Sequence, residues 1–356
     1  MTTATIEPRP GRAPSSLERR PFGDIARADW ERLHAVTPAA TPFARWTFHR
    51  AWWDAYSETA EDHYLVADPL DAIVPLMVRD VPDDGRVLFM GASYHADYAT
   101  ILADPSDLPS AVEAMASTIA PADADVLAWQ LDRVDLRRFR AADRASPLLH
   151  AALDAAIGDR RWRVERERED VCPVLPLAAD WERQVDSMDR VARHELRRKL
   201  RRAERSGPIR LDPLPLEAAS IERFIELHQA RWGAAGLFPD TVDGERSRAF
   251  IRRLVELEAE AGPAGQLRLA QVSVDDRVIA ASATFDDGTT CYFYNAGLDP
   301  SARDLSPGVV STAALIRDRI EAGRTRFDFL RGDEPYKYEW GAHDEAIERI
   351  VVEPRA

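Results

Sequence analysis

Cysteine is scarce in this chain, occurring only at Cys172 and Cys291 among 356 residues. Two thiols so far apart make neither a disulfide framework nor a zinc-ligand spacing, and no metal is expected. The pattern suits a reducing cytoplasm, with both cysteines as small core residues. Long apolar runs are missing too. None approaches the roughly 20 residues a membrane-spanning helix needs, so no transmembrane segment is expected. The opening stretch MTTATIEPRPGRAPSSLERR lacks the apolar middle of a signal peptide. Rich in Pro, Ser, Thr and Arg, residues 1–20 are expected to be a disordered tail. A positive balance is also absent. The net charge of −14 excludes a chain that coats nucleic acid over its whole surface.

What is present is an ordinary apolar content in a chain long enough for two domains of about 150 residues. From Pro21 to residue 165 the pattern is α/β. FARWTFHRAWWDAYSE spaces Trp46, Trp53 and Tyr56 as a helix would, an aromatic stripe for gripping a sheet. Strands are expected at 63–68, 72–78, 86–91 and 126–131, and helices around 107–120 and 146–157. Past Gly91 a loop gathers Tyr94, His95, Asp97 and Tyr98. These are either a ligand-facing group, with Asp97 as a substrate contact, or a histidine satisfied within its own loop. The run VCPVLPL (171–177) reads as an edge or crossover strand, because Pro173 and Pro176 cannot donate to a ladder. The domain boundary falls here, giving units of 21–165 and 166–356.

The second unit begins with the densest basic stretch, DRVARHELRRKLRRAERSG. On a helix over 190–205, Ala192, Leu196, Leu200 and Ala203 form one narrow apolar stripe and cations fill most of the rest. That surface is either a solvated face or a docking face for the phosphates of a cofactor, a carrier or RNA, with Arg197 and Arg201 as candidate ligands. In a helix over 216–232, His228, Arg231 and Trp232 lie at the end, as a substrate wall or as ordinary packing. A helix over 244–260 follows, then a hairpin across Asp275-Asp276. In the next strand, TTCYFYNAG, Cys291, Phe293 and Asn295 alternate with Thr290, Tyr292 and Tyr294. Tyr292 and Tyr294 are candidate substrate contacts. The strand–turn–strand signature of this half also occurs in the first (HYLVADPLDAIVPLMV), which points to a duplicated α/β unit, each copy a mixed sheet flanked by helices.

Ser306-Pro307-Gly308 opens a further helix: Ser306 as N-cap, Pro307 at the first helical position, and Gly308 without a side chain. An anion could then approach the N–H groups of Gly308 and Val309. In the strand TRFDFL, Asp328 needs a partner if buried. It is either a general base or a structural partner of Arg331 or Lys337. The turn RGDEPYKYEW adds Glu334 and Tyr336, enough polar groups to bind a substrate and place a proton.

The run from Tyr294 to Trp340, with SPG, FDFLRGDEPYK and the closing tryptophan, resembles the GNAT-fold acyltransferases of the cellulose-biosynthesis CelD type. These are distant relatives of the FemAB aminoacyltransferases. RHELRRKLRR, HQARW and, in the first half, IVPL and ADYA extend the resemblance over nearly the whole chain after residue 21. It implies two GNAT-like units and acyl transfer to a primary amine, small or carrier-bound, from acyl-CoA, acetyl-CoA foremost. By motif, Ser306, Gly308 and Val309 fall where such folds cradle a pyrophosphate. Asp328, Arg331, Glu334, Tyr336 and Lys337 fall on the family's strand and turn, with catalytic roles for Asp328, Glu334, Tyr336 and Lys337. One departure stands out: ARDLSPGV has a single glycine where Arg/Gln-x-x-Gly-x-Gly/Ala is usual. Two other functions compete: a Fem-like transferase taking aminoacyl-tRNA on the basic helix, and a non-catalytic accessory protein of polysaccharide or envelope assembly.

Overall fold

The computed structural model describes residues 16–122, 126–158 and 161–355, and the chain separates into two units. It changes unit at His49/Arg50, Tyr56/Ser57, Glu169/Asp170 and Glu345/Ala346, where the sequence reading has one boundary at 165/166. Most of the expected tail lies outside the described residues.

The first unit contains β1 (Leu17–Arg19), α1 (Arg27–Val36), the start of α2 (Trp46–Tyr56), β2 (Glu61–Asp62), β3 (Leu65–Ala67) and β4 (Ala72–Val74). Next come β5 (Leu76–Val81), β6 (Gly85–Met90), β7 (Leu102–Ala103), α3 (Leu108–Ile119), β8 (Arg133–Arg140), α4 (Ala145–Ile157) and most of β9 (Trp162–Pro176). Leu17–Arg19 pairs with Leu65–Ala67, so the last residues of the expected tail are a strand that buries Leu17. The expected strand over 72–78 is broken at Pro75, and its halves join different sheets. One has the order β1-β3-β4-β7, and the other contains β2-β5-β6-β8. Pro75 has no N–H for a ladder, and its carbonyl accepts from Gly91 N–H at 2.8 Å.

The strand expected over 126–131 is absent. Ala128–Gln130 forms a short 3-10 turn with Trp129 and Gln130 at positive φ, and β8 follows it. Its pattern RVDLRRFR hides the alternation. Arg137 and Arg138 together lie opposite one residue of the neighbouring strand, and Arg138 has φ 76°. This bulge shifts the phase, so that Val134, Leu136 and Phe139 are all buried.

The second unit contains the end of α2, α5 (Trp181–Ser187), α6 (Arg190–Ser206), β10 (Ile209–Leu214), α7 (Ala218–Trp232), α8 (Val242–Glu260), β11 (Leu267–Val274) and β12 (Arg277–Asp286). It continues with β13 (Thr290–Leu298), α9 (Pro307–Glu321), β14 (Arg326–Asp328), α10 (Pro335–Tyr338) and the first residues of β15 (His343–Pro354). Its sheet runs β10-β11-β12-β13-β14-β9, antiparallel except where β13 and β14 run parallel. The later part of β15 pairs with β8 within the first unit.

β9 is not an edge strand, because it has a neighbour on each side. Pro173 still offers its carbonyl, which accepts from Phe329 N–H at 3.0 Å, so a missing donor does not end the pairing. Both units are mixed sheets flanked by helices. The basic helix is amphipathic as its spacing requires: Leu196 and Ala203 are buried, with Ala192 and Leu200 packed beside them. Both cysteines are buried, and burial pushes the Cys291 thiol up to about 12, which removes it as a nucleophile at neutral pH.

Candidate active site

The second unit has a cleft beside β13, a strand that begins paired with β14 and then parts from it. β13 pairs with β14 over Thr290↔Arg326, Cys291↔Phe327 and Tyr292↔Asp328 only. Past Asp328 the chain follows β9 instead, with Phe329 and Gly332 donating to the carbonyls of Pro173 and Val171. β13 runs on to Leu298 without β14 beside it. A bulge lies at the point of divergence, where Phe293 and Tyr294 together face Thr284. The extra residue changes which positions share a face. Phe293, Ala296 and Leu298 line the cleft together, whereas strict alternation puts Asn295 with Phe293.

The cleft has a volume of about 260 Å³. Its apolar floor is Met188, Leu196, Phe293, Val309 and Trp340, and its polar rim is Glu195, Lys199, Arg231, Tyr336 and Glu339, with Ser311 and Thr312 on α9. Apolar walls with a few converging polar groups are the usual make-up of a small-molecule site.

Of the anion-site candidates, Gly308 and Val309 line the cleft. Ser306 is not a side-chain cap. It adopts a left-handed conformation (φ 56°, ψ 56°), and its hydroxyl accepts from Arg202 Nη2 at 2.5 Å. Its carbonyl takes the N–H groups of Val309 and Val310, at 3.0 and 3.1 Å. The N–H of Val309 is therefore occupied. That of Gly308 has no partner among the described residues, and Pro307 has none to offer. A Cβ at Gly308 would meet only Leu298 Cδ1, at 3.4 Å, so the protein itself does not require glycine there. Arg197 and Arg201 do not line the cleft. Arg197 is paired with Asp186 at 3.0 Å, and both border a shallow surface on the outer side of α6. Two other α6 cations serve the helix-start region: Lys199 lines the cleft together with Gly308, and Arg202 donates to Ser306.

The turn candidates divide sharply. Asp328 is buried, accepts from Leu330 N–H at 2.8 Å and does not line the cleft. Lys337 is only 2% exposed, and its ammonium donates to the carbonyls of Leu330 at 3.0 Å, Arg331 at 2.8 Å and Gly332 at 2.9 Å. It also pairs with Glu334 at 2.8 Å. These contacts fasten the turn and leave the ammonium no proton to exchange with a substrate. Burial pushes the Glu334 carboxyl upward, but the Lys337 contact outweighs it and holds the group below the usual range. Arg331 is exposed and contributes its carbonyl.

Tyr336 does line the cleft. Burial, and then the charge of Glu334, push its hydroxyl up to about 12, so it is protonated at neutral pH. Arg231 also lines the cleft, with its guanidinium 4.4 Å from the centre of the Trp232 ring and 3.4 Å from the Ala296 carbonyl. Trp232 itself is 43% exposed and stands outside the lining, as do His228, Tyr292 and Tyr294. His228 is packed against Phe238, and burial with the nearby Arg231 lowers it to about 4. Tyr292 donates to Asp287 at 3.0 Å, and Tyr294 packs edge-on against Phe285. Asp97 belongs to the first unit, half-buried in the loop after β6.

Lys199 is one of the cations of the basic helix, but Glu339, Ser311 and Thr312 were not singled out by sequence. Their only signal was helical spacing from residues that were: Ser311 and Thr312 lie a turn beyond Gly308, and Glu339 follows Tyr336 by three positions.

Residues 190–338 match the family described as acetyltransferase (GNAT) domain, a span that holds nearly all of the cleft. Among solved structures, the whole chain is similar to FemX, at 11% identity over 92% of this chain and 96% of that one, with a TM-score of 0.59. It is similar to a conserved protein of unknown function from Bacteroides thetaiotaomicron, at 12% identity, 95% and 99% coverage and a TM-score of 0.56. It is also similar to the C-terminal domain of a putative lysylphosphatidylglycerol synthetase from Agrobacterium fabrum, at 13% identity, 93% coverage of each chain and a TM-score of 0.53. No curated protein matches the sequence significantly. At these identities the likenesses establish a shared fold. Among the described residues, no helix is long and apolar enough to cross a membrane, and no group of three acidic, histidine or cysteine side chains could hold a metal.

Proposed function

We propose that the second unit is an N-acyltransferase that moves an acyl group from an acyl-CoA thioester to a primary amine, in keeping with the GNAT domain match and the CelD-type resemblance of Tyr294–Trp340. The observation that carries this reading is the cleft itself. A strand edge left open by the parting of β13 and β14 leads to a helix start with an unpaired N–H and neighbouring cations. An open strand edge offers main-chain groups to an extended arm that carries amides. The Gly308 N–H, Lys199 and Arg202 suit the phosphates at the end of such an arm. Two buried thiols fit a cytoplasmic setting.

In this reading the amine nitrogen bonds to the acyl carbon and the carbon–sulfur bond breaks. Glu339 takes the proton the nitrogen sheds, and the Tyr336 hydroxyl hands one to the departing thiolate. The base role goes to Glu339 because it is a cleft carboxylate with no ion-pair partner among the described residues, whereas Glu195 is held by Arg198 at 2.8 Å. Asp328 and Glu334 are engaged in the turn.

Calorimetric titration of the full chain with acetyl-CoA, a longer acyl-CoA and free CoA tests the reading. Saturable binding, weakened by Lys199→Ala, is expected. If none of the three binds while uncharged tRNA does, the Fem-like donor takes its place; if nothing binds, the accessory role does.

A further inference from the structure

The first unit has a cavity of its own, of about 290 Å³, that the acyl-transfer reading does not use. Its walls are largely apolar, with Ile101, Ala103, Pro105 and Leu108 prominent among them. Two arginines and one carboxylate reach into this apolar space: Arg140, Arg144 and Asp143.

The placement of these charges is built in. Arg140 ends β8, opposite Ile347, and its guanidinium lies 5.4 Å from the centre of the buried Tyr98 ring. The chain then turns tightly, with Asp143 N–H donating to the Arg140 carbonyl at 2.8 Å, which brings both side chains to one wall. Asp143 is only 4% exposed. It accepts from Thr100 at 2.7 Å and from Ala145 N–H at 2.9 Å. Burial nevertheless pushes its carboxyl above the usual range, against those hydrogen bonds and the Arg140 charge. A buried carboxylate so placed gains from a further cationic neighbour. Arg144, beside it, is exposed and has no ion-pair partner among the described residues. Tyr98 and Thr100 give the loop after β6 its work here: one positions Arg140, and the other positions Asp143.

A purely anionic ligand would face Asp143, and a purely cationic one would face two guanidiniums. A ligand bearing both charges at one end and hydrocarbon at the other meets neither objection. The volume lies near the lower limit of ordinary ligand sites, the scale of a single amino acid rather than a nucleotide. We infer that the first unit binds a free apolar α-amino acid, with its carboxylate on Arg140 and Arg144, its ammonium on Asp143 and its side chain against Ile101 and Leu108.

Calorimetric titration of the full chain with leucine, 4-methylpentanoate and 3-methylbutylamine tests this, since the two analogues each lack one of the charges. Leucine is expected to bind at a single saturable site, with both analogues weaker by about tenfold or more. Asp143→Asn and Arg144→Gln are each expected to weaken leucine by a similar factor, about tenfold. Asp143 also holds the start of α4, so Arg144→Gln keeps the test valid if the first variant fails to fold. Absence of saturable binding of leucine overturns the inference. So does an analogue that binds as tightly as leucine, or leucine affinity unchanged in Arg144→Gln. Titration of the same samples with CoA reports the second unit separately.

Discussion

Lys337 Nζ donates to the main-chain oxygen of Arg331 at 2.8 Å, inside a turn whose neighbouring carbonyls it also collects. The most conspicuous cation of the C-terminal motif is thus a fastener, placed so that Tyr336 and Glu339 stand over the cleft. Lys337→Met removes the donor and leaves buried carbonyls unpaired, at about 1–3 kcal/mol for each group that water cannot reach. A loss of about 3 kcal/mol in unfolding free energy is expected from urea titration, with transfer activity partly retained in the fraction that folds. Normal stability with abolished turnover would assign Lys337 to chemistry instead.

The proton-transfer roles separate by kinetics. Glu339→Gln keeps the shape of the rim and removes the base, so kcat should fall by about 100-fold or more with little change in KM. Tyr336→Phe should lower kcat for thioesters of ordinary thiols and spare donors with a more acidic leaving group. Full activity in both variants would remove these assignments.

Two glycines make opposite predictions. A Cβ at Gly308 finds room, so Gly308→Ala should leave the unfolding midpoint within a degree or two while weakening CoA binding, because the methyl group stands where a phosphate would approach the N–H. At Gly297 a Cβ would lie 2.3 Å from the main-chain nitrogen of His228, and neither backbone can yield. Gly297→Ala should cost about 2 kcal/mol or more, read as a lower urea midpoint.

Acid should loosen both units before most carboxylates titrate. Burial lowers His49 and His95 to about 3 and His228 to about 4. The unfolded chain takes up these protons near pH 6.5 and the folded chain does not, so stability is full above that pH and falls as pH drops towards 4. At pH 5 each contributes a loss of about 2 kcal/mol. Urea midpoints at pH 7.5 and 5.0 should differ accordingly, and the difference should shrink in His228→Gln. An unchanged midpoint would mean that these histidines protonate in the folded state.

Helix positions were readable because their signals are local. The stripe Ala192–Leu196–Leu200–Ala203 and the buried face Ile221–Phe224–Ile225–His228 both lie where spacing puts them. Strand faces were readable only up to a bulge. At Arg137–Arg138 and at Phe293–Tyr294 one extra residue reverses the phase, and no propensity marks the place. That is why β8 was hidden and why Ala296 and Leu298 were not placed beside Phe293. The site suffered from a different gap. Charge identifies residues that need partners but not which partner they find: Asp328 read either as a base or as a structural partner, and only the structure shows that Asp328 and Lys337 bond within the turn while Glu339 lines the cleft.

The bulge in β13 also limits how this protein can vary. A one-residue slip of β13 past the bulge, with no change in chain length, would restore a regular ladder with β12, a change that local pairing energy favours. It would also rotate Ala296 and Leu298 to the opposite face of the sheet and set polar Asn295 in the floor of the cleft. In this strand the register matters more than the identity of any one side chain: substitutions there can be graded, but a slip of one residue cannot.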